Sequence, residues 1–324
     1  YVVVHVVTLF VISLAVFAFK PNIHNSDCLT NVMSDGKILY PQPTLDEGIT
    51  KGRFKGKIVI VTGGASGIGK ETARRFLNDG ATVAIFDIND DAIRETEHEF
   101  NEQGFHPEFH SVDVSDKAQC LSGVGKVADA NGAVIHYLVN CAVYFGSQGL
   151  EAEHKDWSRT MAVNVEGISN MVQSCYPYMV KAGGRECGIV NLSSISAHRA
   201  QKARWTYSAS KGAILSLTRC MALDLSQDGI RVNSISPAWI WSPEGAKGAG
   251  FDRKSSEARG GNFHMLRRFG EMAECAATIT FLCSKDASFI TGTDLGVDGG
   301  YLSMSAEGFG ESSSFAGSAL KVDQ

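Results

Sequence analysis

The chain has 324 residues, of which 44% are hydrophobic and 20% charged, and its formal net charge is −5 with a pI near 6.0. This composition predicts a packed globular protein, large enough for one α/β domain or two smaller ones. Because the sequence contains no long basic run, we do not expect a nucleic-acid-binding surface.

The N-terminal segment is strongly apolar: residues 1–19 are YVVVHVVTLFVISLAVFAF. As a helix rising 1.5 Å per residue it would span about 28 Å, close to the thickness of one bilayer core. The sequence leaves three alternatives open for residues 1–20: a membrane anchor, a signal peptide and an incorrectly assigned start. We expect a cytoplasmic protein, which a genuine anchor would attach to a membrane with the rest of the chain on the cytoplasmic side. Residues 21–52 are polar and contain three prolines, which predicts a linker.

Short strand-like runs alternate with helical segments between residues 53 and 302. The six runs are KIVIVTGG (57–64), TVAIFDI (82–88), PEFHSVDV (107–114), VIHYLVNCAV (134–143), GIVNLSSIS (188–196) and IRVNSISPA (230–238). This alternation predicts a single α/β domain with a Rossmann-type, doubly wound parallel sheet and helices on both faces. Ligands of such sheets bind at the carboxyl ends of the strands. Residues 303–324 are rich in Gly and Ser and predict a mobile tail.

A glycine-rich loop follows the first predicted strand and opens the first helix. Gly63, Gly67 and Gly69 give it the pattern TGxxxGxG. Glycines let a pyrophosphate approach the main chain, and the N–H groups and positive dipole end of the helix attract that anion. Asp87 ends the second strand, where a carboxylate accepts hydrogen bonds from ribose hydroxyls and repels a 2′-phosphate. Since Ser66, and not a basic residue, precedes Gly67, the loop predicts NAD rather than NADP.

A tyrosine and a lysine lie four residues apart in TYSASKGAILSLT, residues 206–218. Tyr207 and Lys211 would share one helix face, although an ordinary surface pair has the same spacing. A neighbouring ammonium is expected to lower the pKa of a phenol, which can then exchange a proton with an alcohol. Two other residues favour this chemistry: Ser194, at the end of the fifth strand, and Asn164 in AVNVEG. Ser193 competes with Ser194, and the spacing of thirteen residues to the tyrosine favours Ser194.

These motifs together resemble the short-chain dehydrogenase/reductase family, in the branch with a TGxxxGxG loop and an Asn-Ser-Tyr-Lys tetrad. The resemblance covers about residues 53–302 and includes SVDV, LVNCA, AVNVEG, LSS, YSASK, IRVNSISPA and ITGTDLGVDGG. It implies that Tyr207 is the general acid/base and that Lys211 lowers its pKa and binds the nicotinamide ribose. It also implies that Ser194 positions the substrate oxygen, and that Asn164 kinks its helix and holds a water in a proton relay.

The resemblance further implies which residues contact the cofactor. They are Gly63, Ser66, Gly67, Ile68 and Gly69 in the loop, Asp87, Asp113 and Val114 beside the ribose and adenine, Asn140 and Ala142 on the adenosine side, Tyr207 and Lys211, and Ile240 and Ser242. Three positions depart from the family pattern: Val143 and Ala238 replace glycines, and Ser242 replaces a threonine. These departures put the affinity for the cofactor in question and leave the tetrad intact.

The implied activity is the reversible, NAD-dependent oxidation of a secondary alcohol, including cyclic alcohols, to a ketone. An NADPH-dependent carbonyl reductase and a non-catalytic, nucleotide-sensing binding module are the alternatives. The substrate stays open, because the aromatic and histidine side chains near the lid region 239–266 would either shape a pocket or pack the lid on the core. Those side chains are His198, Trp205, Trp239, Trp241 and Phe263.

The eight cysteines lie mostly in apolar runs and form no C-x-x-C pair, which favours buried free thiols in a reducing compartment. The nine histidines do not cluster, so we expect no structural metal. The helix from Tyr207 toward Asp228 is apolar on nearly every side, which predicts a homodimer or homotetramer. The alternative is that an extension of the chain itself covers this helix.

Overall fold

The computed structural model of the protein describes residue 45, residues 48–248, residue 250 and residues 252–305. The predicted anchor lies outside the described residues, as do most of the predicted linker and most of the predicted tail. Among the described helices, none combines the length and the hydropathy that a bilayer crossing requires.

Seven parallel strands form the central sheet, in the order β3-β2-β1-β4-β5-β6-β9. The strands are β1 (Ile58–Thr62), β2 (Thr82–Asp87), β3 (Glu108–Ser111), β4 (Tyr137–Asn140), β5 (Gly188–Leu192), β6 (Arg231–Pro237) and β9 (Asp294–Val297). The short strands β7 (Ile240–Trp241) and β8 (Gly270–Glu271) pair in a separate parallel sheet. The predicted α/β class and parallel sheet are confirmed, and β9 is an edge strand that the sequence analysis does not predict.

Helices cover both faces of the sheet. The α-helices of the described residues are α1 (Gly67–Asn78), α2 (Asp90–Glu102), α3 (Lys117–Ala130), α4 (His154–Met161), α5 (Gly167–Lys181), α6 (Trp205–Leu225), α7 (Pro243–Gly248), α8 (Arg253–Gly260) and α9 (Met272–Cys283). Apolar side chains of α3, α5 and α6 pack with Ile58 and Ile60 on one face, and those of α1, α2 and α9 pack with Val59 and Val61 on the other. Because β1 is buried on both sides, its sequence is a continuous apolar run.

The strand order reverses between β1 and β4, which lie side by side in the middle of the sheet. The chain continues from β1 to β2 and β3 in one direction, and from β4 to β5 and β6 in the other. The carboxyl ends of β1 and β4 therefore diverge into loops on opposite sides of a crevice, which is where α/β sheets bind their ligands.

Seven cysteines lie in the described residues, and all are free thiols. Six of them are buried, whereas Cys220 is exposed on α6. Burial raises the pKa of the Cys120 thiol to about 11 and that of Cys141 to about 12, so these two thiols stay protonated at neutral pH.

Candidate active site

The glycine loop between β1 and α1 is packed too closely for larger residues at two positions. The backbone of Gly63 has φ of +61°, and a Cβ there would lie 2.8 Å from the backbone nitrogen of Ala142. A Cβ on Gly69 would lie 2.1 Å from the carbonyl oxygen of Gly63. Glycine at these positions lets the loop turn tightly against β4 and into α1, as a dinucleotide-binding loop requires.

The carboxylate of Asp87 is held against this loop at the end of β2. One of its oxygens accepts a hydrogen bond of 3.1 Å from the backbone N–H of Ala65, and the other accepts one of 3.0 Å from the N–H of Asn89. The carboxylate therefore lies beside the glycine loop with a fixed orientation, at the position where an adenine ribose is bound in dinucleotide-binding sheets.

A cavity of about 610 Å³ runs along the carboxyl ends of the strands. Ten of the predicted cofactor-binding residues line it: Gly63, Ser66, Gly67, Ile68, Gly69, Asp87, Asp113, Val114, Ala142 and Ser242. The other four predicted residues, Asn140, Tyr207, Lys211 and Ile240, are not among its lining residues. Asn140 instead donates a hydrogen bond of 2.9 Å to the side chain of Asn191 inside the sheet, and Ile240 packs against the core.

The cavity is also lined by residues that the sequence analysis does not predict. Tyr144 and Phe145, in the loop after β4, form part of its wall together with Val143, which replaces a family glycine. Arg159 on α4 lies 3.4 Å from a carboxylate oxygen of Asp113 and forms an ion pair with it. The side chain of Val143 therefore occupies space beside the cavity that a glycine would leave open.

Asn164 lies in a π-helical turn, Ala162–Glu166, between α4 and α5. Its side chain accepts a hydrogen bond of 2.7 Å from the N–H of Tyr144 and donates one of 3.1 Å to the carbonyl of the same residue. It also donates to the Ser210 hydroxyl, at 3.0 Å. The wider π-turn replaces regular helical geometry at Asn164. The side-chain amide of Asn164 connects the loop after β4 to α6 through these hydrogen bonds.

Tyr207 and Ser194 meet where β5 ends and α6 begins. Tyr207 is buried, and its phenol interacts with the Ser194 side chain, which favours the ionised phenol. The prediction that the neighbouring ammonium lowers the tyrosine pKa is wrong for this structure. Burial of the phenol raises the pKa of Tyr207, although the interaction with Ser194 and the charge of Arg204 act in the opposite direction.

The geometry of Lys211 explains this difference. Its ammonium lies 5.5 Å from the centroid of the Tyr207 ring and donates a hydrogen bond of 2.7 Å to the carbonyl oxygen of Leu192. Leu192 lines the cavity, whereas Lys211 is buried behind it and is not among the lining residues. Burial lowers the pKa of Lys211 to about 8.

The two candidate serines have different contacts. The Ser194 hydroxyl accepts a hydrogen bond of 3.1 Å from the N–H of Ser196 and contacts the phenol of Tyr207. The Ser193 hydroxyl instead donates a hydrogen bond of 3.1 Å to the backbone carbonyl of Lys211, away from the phenol. The structure therefore brings Ser194, and not Ser193, to the tyrosine.

Two side chains that the sequence analysis does not predict contact the Tyr207 ring. Phe145 stacks on it with centroids 5.9 Å apart and an interplanar angle of 20°. The guanidinium carbon of Arg204 lies over it, 5.6 Å from the centroid. The contact of Arg204 could have been predicted from the sequence, because Arg204 lies three residues before Tyr207 at the start of a helix and residues at this spacing are neighbours.

The lid aromatics pack mainly against one another. Trp239 and Trp241 both stack on Phe269, with centroids 6.0 and 6.3 Å away, and Trp239 also contacts Phe263. His198 lies 2.9 Å from a carboxylate oxygen of Asp294. None of the five side chains considered for a substrate pocket is among the described residues that line the cavity. These contacts favour the alternative in which the aromatic side chains pack the lid on the core and do not shape a substrate pocket.

The part of the chain that the structure describes contains no candidate metal site, because no group of three or more His, Cys, Asp or Glu side chains there could hold an ion. The glycine loop, Asp87 and the cavity instead fit a dinucleotide. The close approach at Gly63 and Gly69 leaves no room for side chains there, so the loop turns tightly along the cavity that it lines.

Comparisons with known proteins agree with this site. The family described as enoyl-(acyl carrier protein) reductase matches residues 63–302. The meso-2,3-butanediol dehydrogenase of Serratia marcescens is 34% identical, over 76% of this chain and 95% of its own length. A short-chain type dehydrogenase/reductase from Mycobacterium ulcerans is similar in structure, with a TM-score of 0.70 and 30% identity over 77% of this chain and 90% of that one. NAD⁺-bound xylitol dehydrogenase has a TM-score of 0.70 and 28% identity over 75% of this chain and 98% of its own.

Proposed function

Because the chain belongs to the short-chain dehydrogenase/reductase family, we propose that it catalyses the reversible, NAD-dependent oxidation of a secondary alcohol to a ketone, with Tyr207 as general acid/base. The protein is an oxidoreductase that acts on CH–OH groups and uses a nicotinamide cofactor. We propose NAD as the cofactor and a secondary alcohol as the substrate, and we assign the individual residue roles below.

One observation carries the proposed chemistry: Ser194 and Lys211 both lie beside Tyr207, where β5 ends and α6 begins. Ser194 interacts with the phenol, and Lys211 lies 5.5 Å from the centroid of its ring. In the proposal, Tyr207 takes the hydroxyl proton of the alcohol and Ser194 orients the substrate oxygen. Lys211 supplies positive charge near the developing phenolate, and Asn164 connects this group to the loop after β4.

The residues that would hold NAD are the glycine loop, Asp87 and the walls of the cavity. When bound, the nicotinamide supplies the acceptor for the hydride of the carbinol carbon. The carboxylate of Asp87 supports NAD over NADP, because a 2′-phosphate would have to be placed beside its negative charge. The xylitol dehydrogenase whose fold is similar was solved with NAD⁺. An NADPH-dependent carbonyl reductase is the alternative, and comparing the two cofactors separates it from the proposal.

We also propose that the protein is a homo-oligomer that pairs through α6. Leu223 and Cys220 are exposed on this helix in the single chain, whereas Leu217 packs against the core. An exposed leucine beside an exposed thiol is apolar surface that a second copy would cover.

The test of the proposed reaction is a screen of secondary alcohols and ketones in which NADH absorbance is followed, with the parent protein and Tyr207→Phe. We expect the parent to oxidise at least one alcohol, and the variant to lose about 10²- to 10⁴-fold in kcat, the usual contribution of general acid–base catalysis. Turnover of the same alcohol by Tyr207→Phe at the parental rate would contradict the proposed role. Tight NAD binding without any turnover would favour the alternative of a nucleotide-sensing module.

A further inference from the structure

The loop that joins Ser194 to Tyr207 carries only one sign of charge. Residues 187–223 contain no Asp or Glu. The loop contributes four basic or titratable side chains: His198, Arg199, Lys202 and Arg204. The loop therefore presents a positive field to any group that approaches the phenol from its side.

Two of these side chains have partners within the protein. His198 contacts the carboxylate of Asp294, at 2.9 Å. Arg199 donates to the backbone carbonyl of Leu302, at 2.7 Å, and to that of His198. Their hydrogen-bonding groups hold the loop to the edge strand β9 and to the segment that follows it.

Arg204 differs from them. Among the residues that the structure describes, none places a carboxylate within ion-pairing distance of its guanidinium. The guanidinium instead lies over the face of the Tyr207 ring. A guanidinium over a phenol ring gains some cation–π stabilisation, but its N–H donors form a fork that matches a carboxylate and that a ring does not satisfy.

The position of Arg204 relates it to the cavity. Phe145 lines the cavity and stacks on the ring of Tyr207, at 5.9 Å, so this ring lies behind a residue of the cavity wall. The guanidinium carbon of Arg204 lies 5.6 Å from the centroid of the same ring. An alcohol whose hydroxyl reaches the phenol would lie within a few bonds of Arg204, which has no acidic partner in the described part of the chain.

We propose that Arg204 binds a carboxylate of the substrate, so that the alcohol that this protein oxidises is a short-chain hydroxy acid. The inference rests on the proposed function, because it assigns the substrate class of the same site. Since guanidinium and phenol are so close, the carboxylate and the reacting hydroxyl are separated by a short carbon chain, as in a β-hydroxy acid. Arginine is suited to this role because its planar, always charged fork binds a carboxylate through two parallel hydrogen bonds.

The first experiment compares β-hydroxybutyrate with its methyl ester, which differ mainly in charge. We expect the parent protein to favour the acid in kcat/KM, and Arg204→Gln to lower the acid-to-ester ratio by about 10- to 100-fold, the range of a charge-assisted hydrogen bond. Arg204→Lys should retain part of the preference, since it keeps the charge and loses the fork. Lys202→Gln is the matched control, because it removes a charge from the same loop and should leave the ratio within about twofold.

A structural role of Arg204, in which it only supports the Tyr207 ring, predicts a different result. Arg204→Gln would then lower kcat/KM for the acid and the ester by the same factor, and this outcome would overturn the inference. A parent protein that oxidises neutral alcohols and shows no preference for the acid would overturn it as well, while the proposed dehydrogenase function would stand. Failure of the proposed function has its own signature, which is undiminished turnover by Tyr207→Phe.

A binding measurement gives a readout that does not need turnover. Calorimetric titration of Tyr207→Phe with β-hydroxybutyrate and with the ester, both in the presence of NAD⁺, reports the two dissociation constants. We expect the acid to bind at least about tenfold more tightly, and the double variant with Arg204→Gln to lose this difference. Equal dissociation constants for acid and ester in the Tyr207→Phe protein would contradict the assignment of Arg204.

Discussion

The ammonium of Lys211 donates a hydrogen bond of 2.7 Å to the carbonyl oxygen of Leu192, from a side chain that is only 2% exposed. A buried ammonium is costly unless other groups replace its hydration. The lowered pKa of Lys211, about 8, expresses this cost. Such a position is expensive for folding, and it is consistent with a residue retained for binding or catalysis and not for stability.

Replacing Lys211 by methionine should therefore stabilise the cofactor-free protein. The folded-state pKa of about 8 lies below the ordinary value of 10.5. Because the unfolded chain holds this proton more tightly, burial of the charge costs the folded state up to about 3 kcal/mol below pH 8, and the cost disappears as the pH rises toward 10.5. Loss of the bond to Leu192 offsets about 1 kcal/mol of the gain. Urea unfolding at pH 7 and pH 10 should show that the advantage of Lys211→Met is larger at pH 7.

The matched control for this prediction is Lys181→Met, which removes an exposed lysine from α5. It should change the free energy of unfolding by about 0.5 kcal/mol or less at either pH. If Lys211→Met were instead less stable than the parent protein at pH 7, the ammonium would be better compensated than its burial indicates. In the proposed function, Lys211→Met should also lose alcohol oxidation.

The two adjacent serines offer a paired test of the site. Ser194→Ala removes the hydroxyl that contacts the phenol of Tyr207, and we expect kcat/KM to fall about 10²- to 10³-fold, as for the loss of a group that stabilises charge on the substrate oxygen. Ser193→Ala removes a buried hydrogen bond to the backbone of Lys211, which should cost about 1 kcal/mol of stability and little activity. Steady-state kinetics and thermal unfolding of both variants decide the point. If Ser193→Ala lost more activity than Ser194→Ala, Ser193 would be the serine that acts on the substrate.

Among the six strands predicted from the sequence, β1, β2 and β4 have continuous apolar runs, because helices bury both of their faces. The edge strand β9 has no such run. Asp294 and Gly296 interrupt it, and its residues are only partly buried or exposed. Asp294 nevertheless has a clear structural role, since it accepts hydrogen bonds from the hydroxyls of Ser234 and Ser236 on β6. That pairing involves residues about sixty positions apart, which no local pattern reveals.

In the site too, local sequence predicts some features, whereas others depend on the fold. The spacing of Tyr207 and Lys211 predicts that they share a helix face, and they do, with the ammonium 5.5 Å from the ring centroid. The direction of the tyrosine pKa shift could not be predicted in this way, because it depends on how deeply the phenol is buried. The stacking of Phe145 on the same ring depends on the loop after β4, which only the fold brings next to α6.

The proposed preference for NAD should depend on Asp87. Asp87→Ser removes the negative charge that a 2′-phosphate would meet, and we expect the NADP-to-NAD ratio of kcat/KM to rise about 10- to 100-fold, since close like charges cost several kcal/mol. The ratio is the relevant measure, because the loop also loses the hydrogen bond between Asp87 and Ala65 and both cofactors should bind less tightly. Asp129→Ser, on the exposed side of α3, is the control and should leave the ratio unchanged. A parent protein that prefers NADP would contradict the assignment at once.

The last prediction concerns assembly through α6, and the exposed Leu223 allows it to be tested without damaging the core. Leu223 is 76% exposed in the single chain, so Leu223→Asp should preserve the fold while it places a charge in the proposed interface. Leu217→Asp is a poorer choice, because Leu217 packs against the core and its replacement would also destabilise the monomer. Light scattering at micromolar concentration should show an oligomer for the parent protein and a monomer for Leu223→Asp. Leu121→Asp, at a leucine that is 53% exposed on α3, should stay oligomeric; if it dissociates as readily as Leu223→Asp, or if the parent protein is already a monomer, α6 is not the interface.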